Sequence, residues 1–312
     1  MPTAQDVAWF KSQFQDAIVP ALAGTPFTVD MVTAIACQET GGIWPVLRRK
    51  GLSTPRILEL CVGDTIDASA TGGRRAFPKN KAELLAAPDG ARMFELARQG
   101  LVDMAGFIRG YGPAAARPDK FCHGFGIFQL DLQFFRSDPA YFLERRYADF
   151  GHALRRCVGE LRAAARRIGL DGRPSLSDHE MTAVAIAYNT GRFNPAKGLK
   201  QGFFDGRKFY GENFFSFLQL AHSVQVAPPA VAAAAATRGR RAPPPALSPA
   251  RKAMKKATRK ATSARKPASA KRSAKKVAAK KAVDKKAVAK KVTAPRKLPA
   301  GKRAKGERVI SA

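Results

Sequence analysis

The chain has 312 residues, 55 Lys and Arg against 24 Asp and Glu, a formal net charge of +31 and 45% hydrophobic residues. The excess sits at one end: residues 227–312 hold 27 of the basic residues and 2 of the acids, which leaves residues 1–226 only mildly basic and long enough to bury a sizeable core. No run approaches the roughly 20 apolar residues of a membrane helix, so a helical membrane-spanning protein is excluded.

The opening "MPTAQDVAWFKSQFQDAIVPALAG" lacks the charged and apolar regions of a classical signal peptide. The expectation is a chain that is cytoplasmic as synthesised, with any export taking a non-classical route. Its first element is an amphipathic helix over about residues 5–22, with Val7, Phe10, Phe14, Ala17 and Ile18 on one face. Thr28 is an N-cap for a second helix that runs to about Glu39. Residues 43–120 form a long middle segment of loops and short helices, apart from a helix over about 89–111 carrying Met93, Leu96, Ala97, Leu101, Met104 and Ile108. "HGFGIFQLD", residues 123–131, reads as a short strand or extended loop. A long helix is expected over 139–168, with Leu143, Tyr147, Phe150, Leu154, Val158, Leu161, Ala165 and Ile168 at helical spacing. "SDHE", Ser177 to Glu180, is a capping box that opens a helix reaching about Asn189, and a last helix spans about 211–224.

From residue 227 the composition turns to Ala, Pro and Lys, as in "AKKVAAKKAVDKKAVAKK". Such a segment has little to bury and strong self-repulsion, and is expected to be disordered in isolation. Its charge suits a polyanion: DNA, or an anionic polymer of the cell envelope. It has no aromatic side chain on which bases would stack. Cys37, Cys61, Cys122 and Cys157 form no CxxC pair and no zinc spacing, and are read as reduced, mostly buried thiols, the even count leaving disulfides as the alternative for an exported chain. No metal and no cofactor is called for.

Three stretches carry chemistry. In "AIACQETGG", Val32, Ile35 and Ala36 precede Glu39 by seven, four and three positions and share its helical face. Glu39 therefore extends the apolar stripe into the last turn, where burial and the helix dipole both favour its protonated form. A carboxylic acid that keeps its proton near neutrality suits a general acid; the bland alternative is an exposed Glu at a frayed helix end. In "HGFGIFQLD", Gly124 and Gly126 clear side chains from the backbone, Gln129 offers a donor and an acceptor, and Asp131 shares its face if the segment is extended. The alternative is a plain glycine-rich turn. In "AIAYNTG", Met181, Val184, Ala185 and Tyr188 share one face, so Tyr188 points inward, with a buried carboxyl as a natural partner, and Asn189 ends the helix. Here the alternative is a core tyrosine with a routine cap.

Taken in this order, the stretches resemble the lysozyme-like superfamily, and most of all goose-type lysozymes and soluble lytic transglycosylases. Members show a helix ending in Glu-Ser, a Gly-x-x-Gln strand and then Ala-Tyr-Asn-x-Gly. The counterparts here are Glu39-Thr40, Gly126 to Gln129 and Ala187 to Gly191. The resemblance implies a mainly α-helical domain of the α+β lysozyme type, over residues 1–226, with a small β element at the cleft and an insertion at about 43–120. It implies peptidoglycan glycan strands as substrate, Glu39 as catalytic acid, Asp131 as the acid that helps position a water, and Gly126, Gln129, Tyr188 and Asn189 as substrate-binding residues. Tyr210 is a looser match to a late groove tyrosine. The insertion adds Asp64 and Asp67 as further acids, although loop acids are ordinarily just solvated. The tail resembles Lys/Ala/Pro-rich histone H1-like tails. The rival reading is a nucleic-acid-binding protein with a catalytically silent lysozyme-like body.

Overall fold

The structure, a computed structural model, describes residues 1–66, 74 and 76–227. The expected disordered tail from residue 228 onward, and Asp67, lie outside the described residues.

Helix α1 spans Ala4–Ala21 and opens on a capping box: Asp6 N–H donates to Thr3 Oγ1 at 3.3 Å, while Thr3 N–H donates to Asp6 Oδ2 at 2.8 Å. Such a cap contributes about 1 kcal/mol. Asp6 is fully buried and also holds Arg48 and Arg49 at 2.7 and 2.8 Å. Helix α2, Val29–Thr40, is capped by Thr28 as its sequence predicts. Short helices α3 (Trp44–Arg49) and α4 (Thr54–Leu60) follow, each with proline in its first turn, where the missing N–H costs nothing. Trp44 is buried, and its indole N–H donates to the Ala36 carbonyl at 3.1 Å. It joins Phe10 and Phe14 in an aromatic core completed by Phe150, whose ring stacks on Phe14 at 3.9 Å.

The middle segment contributes more than loops and helices. Val62–Ile66 is a strand, β1, paired antiparallel with β2, Phe121–Phe125, so that Val62 faces Phe125 and Ile66 faces Phe121. The third strand, β3, is Leu130–Asp131. Between β1 and β2 lie α5 (Lys81–Leu85), α6 (Gly90–Ala105) and α7 (Gly112–Ala115), with a 3-10 turn at Arg109–Tyr111. The predicted helix over 89–111 therefore stops at Ala105, although Ile108 is still buried.

The predicted continuous helix over 139–168 is two helices. Helix α8 is Pro139–Leu143 and α9 is Phe150–Arg167, with a 3-10 turn at Arg146–Ala148 between them. Arg145 takes a left-handed φ of 53°, and Asp149 leaves helical geometry to cap α9 by accepting from His152 N–H at 2.7 Å. The apolar spacing survives the break because Tyr147, Phe150 and Leu154 are all buried. Helix α10, Asp178–Thr190, opens on the predicted Ser177–Glu180 capping box. Helix α11, Tyr210–Ser223, packs antiparallel along α2: Tyr210 bonds Glu39 at one end, and His222 bonds Asp30 at the other. The described part is mainly helical with a small three-stranded sheet, and none of its helices is long and apolar enough to cross a membrane. All four cysteines are free and buried.

Candidate active site

Glu39 lies in the last turn of α2 and is half-buried. Its one hydrogen bond to a described residue comes from the Tyr210 hydroxyl, 2.7 Å from Oε1; Oε2 bonds none of them. Burial pushes the carboxyl up, the bond from Tyr210 pulls it down and the charge of Asp64 pushes it up again, for a net rise from 4.5 to about 8. Glu39 therefore carries a proton at neutral pH and can give it away. Asp64 stands exposed in the middle of β1 with a φ of 43°, a conformation costly for a residue with a side chain. Such strain persists only where surrounding structure imposes it, here the pairing of Gly63 with Gly124 and of Thr65 with Cys122.

The segment expected to be extended is a hairpin: β2 ends at Phe125, a turn covers residues 126–129, and β3 begins at Leu130. Gln129 has a φ of 50° inside that turn, so Gln129 and Asp131 do not share the face of one strand. The turn's carbonyls are held one by one. Gly126 O accepts from both the backbone N–H and the side-chain amide of Gln129, each at 2.9 Å. Ile127 O accepts from Thr40 Oγ1 at 2.6 Å, and Phe128 O accepts from the Tyr188 hydroxyl at 2.8 Å. The residue next to the acid, the hairpin turn and the α10 tyrosine are thereby locked together. Those are the three stretches that stand out in the sequence.

The partner of the carboxyl differs from the expectation. The tyrosine on the carboxyl is Tyr210, while Tyr188 spends its hydroxyl on the hairpin backbone. Gly126 is buried with φ 81°, and a Cβ there would press on the Tyr141 hydroxyl and the Tyr147 carbonyl, so it serves the turn and its packing. Gln129 lies across the paired Gly63 and Gly124, where a Cβ on either glycine would collide with its Oε1, and its amide also reaches Cys61 O at 3.3 Å. The Asn189 side chain is exposed and makes no hydrogen bond to a described residue. Asp131 is engaged on both oxygens: Arg74 at 2.5 and 3.0 Å, His123 at 2.9 Å and the N–H of Gln133 at 2.7 Å. Burial alone would raise Asp131, but the bonds from His123 and Arg74 outweigh it and hold its carboxyl below the ordinary value. Among the two acids, Asp64 is the one whose charge acts on Glu39.

Thr40 and Arg74 have functions that sequence reasoning missed. Thr40, which takes the place of the family's serine after the glutamate, joins α2 to the hairpin through its hydroxyl. Arg74 lies 57 positions from Asp131 in a Gly/Arg-rich stretch, with no periodicity to tie it to the strand.

The chain matches no family model, no curated protein and no solved structure.

Proposed function

We propose that this protein cleaves the β-1,4 bond between N-acetylmuramic acid and N-acetylglucosamine in peptidoglycan, on a lysozyme-like domain. The observation that carries the reading is the convergence of Glu39-Thr40, the Gly126–Gln129 turn and Tyr188, with a carboxyl at the centre whose proton is retained to about pH 8. Glu39 protonates the bridging oxygen, the glycosidic C–O bond breaks as an oxocarbenium-like centre develops, and the leaving sugar departs with a new hydroxyl. Tyr210 steadies the carboxyl through Oε1, which leaves Oε2 as the face that bonds no described residue.

Two acceptors complete the reaction. In hydrolysis, water attacks the sugar from the opposite face and passes its proton to a second carboxylate. Asp64 suits that role, being exposed and electrostatically coupled to Glu39, whereas Asp131 is already neutralised by Arg74. In transglycosylation, the 6-hydroxyl of the same sugar attacks and returns its proton to Glu39, leaving an anhydro end. Digestion of purified sacculi, with mass spectrometry of the released fragments, separates the two outcomes. Glu39→Gln should keep the fold by circular dichroism and lose lysis; a folded variant that still cuts removes Glu39 from the chemistry.

The charge of residues 227–312 supports a polyanion as a second partner, either DNA or an anionic envelope polymer. The rival reading, a nucleic-acid binder with a silent body, draws on the same charge. A chain lacking residues 227–312 that still digests sacculi decides for the enzyme.

A further inference from the structure

We infer that Phe203 forms an aromatic platform on which a sugar ring of the glycan stacks, away from the bond that Glu39 attacks. The inference rests on the glycosidase reading above and names a contact that reading does not contain.

Among the described residues, the exposed large hydrophobic side chains are Met1, Val19, Leu85, Val102, Phe203 and Phe204, and the two aromatic ones are consecutive. Phe203 is 63% exposed and Phe204 50%. An exposed aromatic ring leaves apolar area in water that a ligand can cover. The loop that carries them is built to hold them in place. Asp205 Oδ1 accepts from the N–H groups of Arg207 and Lys208, both at 2.8 Å, and Oδ2 accepts from the Asn213 amide at 2.7 Å. Phe204 pairs with Phe209 across the loop, their rings 4.9 Å apart. The Phe203 ring has no aromatic partner among the described residues.

The loop is also tied to the candidate site. The N–H of Tyr210 donates to the Phe203 carbonyl at 2.7 Å, and that of Gly211 donates to the Gln201 carbonyl at 3.1 Å. Gly202, at φ 86°, lets the chain pass where a Cβ would meet the Tyr210 side chain and come within 3.2 Å of Asn189 Oδ1. Phe203 is thus joined through Tyr210, whose hydroxyl sits on Glu39, to the acid itself. Asn189 stands beside the loop with donor and acceptor both uncommitted to described residues.

A pyranose has the matching chemistry. Its axial C–H groups form an apolar face that covers an aromatic ring, while its equatorial hydroxyls and N-acetyl group stay at the rim for an amide such as Asn189. An apolar surface with a few placed polar groups is the ordinary makeup of a ligand site, and the flat, rigid ring pays little entropy on binding.

The test uses the full-length chain with purified sacculi, at salt high enough to screen the basic segment. Phe203→Ala should raise the half-saturating sacculus concentration about five- to tenfold, the range expected for one aromatic contact. The maximal rate and the circular dichroism should be unchanged, and Phe203→Trp should restore binding. In the Glu39→Gln background, Phe203→Ala should reduce co-sedimentation with sacculi by a similar factor. If the wild-type chain cuts sacculi and Phe203→Ala leaves both half-saturation and co-sedimentation unaltered, the platform is overturned and the cleavage reading stands. If the wild-type chain releases no fragments, the cleavage reading fails, and a loss of co-sedimentation with Phe203→Ala still supports the glycan contact.

Discussion

Tyr210 and Glu39, 171 positions apart in the chain, meet where the first residue of α11 donates its hydroxyl to the last turn of α2 at 2.7 Å. A hydroxyl donated to a carboxyl favours the ionised form, so this bond opposes the burial that raises Glu39 to about 8. Because the proposed acid works only while protonated, kcat/KM for sacculi should fall as pH rises through about 8. In Tyr210→Phe the opposing bond is gone, Glu39 holds its proton to higher pH, and the alkaline limb moves upward. A pH profile of turbidity clearing reads this directly; a downward shift contradicts the assignment.

The same carboxyl affects stability. Its folded value is raised above the unfolded one, so its contribution is fully present below about pH 4.5 and is lost as pH climbs toward 8. Glu39→Gln removes the group that must ionise in a poorly solvated place. Thermal melts should show the variant more stable than the wild type by about 2–4 kcal/mol at pH 8, after allowance for the partial exposure of Glu39, and nearly equal to it at pH 4. A penalty of this kind at one residue is the cost that the proposed catalytic role implies. Equal melts at both pH values would place Glu39 in bulk water.

Asp64 and Asp131 are separable by variants. Asp64→Asn removes a negative charge that raises Glu39, so the alkaline limb should move down, and hydrolysis should fall about 100-fold or more if Asp64 activates the water. Asp131→Asn should leave that limb in place. Its cost is structural: Arg74 and His123 lose their partner, for about 1–3 kcal/mol. The carboxyl of Asp131 is held low, so its stabilisation is present above the ordinary 3.8 and disappears as pH falls below it. Denaturant melts at pH 7 and pH 3, set beside the rate profiles, distinguish a catalytic acid from a structural one.

Helix α2 and its half-buried carboxyl were legible because spacing and caps are local: Thr28 begins the helix, and Val32, Ile35 and Ala36 share the face of Glu39. Ser177 and Glu180 marked α10 by the same local chemistry. What the sequence hid was long-range. Strand β1 is five residues with a glycine and a left-handed aspartate, so it has no clean alternation, and it exists because β2 lies beside it. The hairpin was masked because Gln129, a residue unremarkable in turns, takes the positive φ that closes it. The partners of Tyr188 and Asp131 depended on where distant backbone arrives, which no spacing reports.

His222 closes the other end of the α2–α11 pair. Its Nδ1 lies 2.8 Å from Asp30 Oδ2 and its Nε2 lies 3.1 Å from Asp178 Oδ1. Lys11 reinforces the corner, with Nζ at 2.5 Å from Asp30 and at 2.6 and 2.7 Å from the carbonyls of Ala221 and Val224; the charge of His179 also acts on Asp178. Burial alone would lower His222, but the bonds to Asp30 and Asp178 outweigh it, and the imidazolium is held above its ordinary 6.5. A raised histidine stabilises fully below that ordinary value and loses its contribution as pH rises through the folded one. The difference in Tm between wild type and His222→Gln should therefore be largest at about pH 6 and shrink toward pH 9. Taking the difference between the two proteins cancels the pH dependence contributed by Glu39. A Tm difference that grows with pH would show that His222 is neutral in the folded protein and that the two aspartates do not hold it charged.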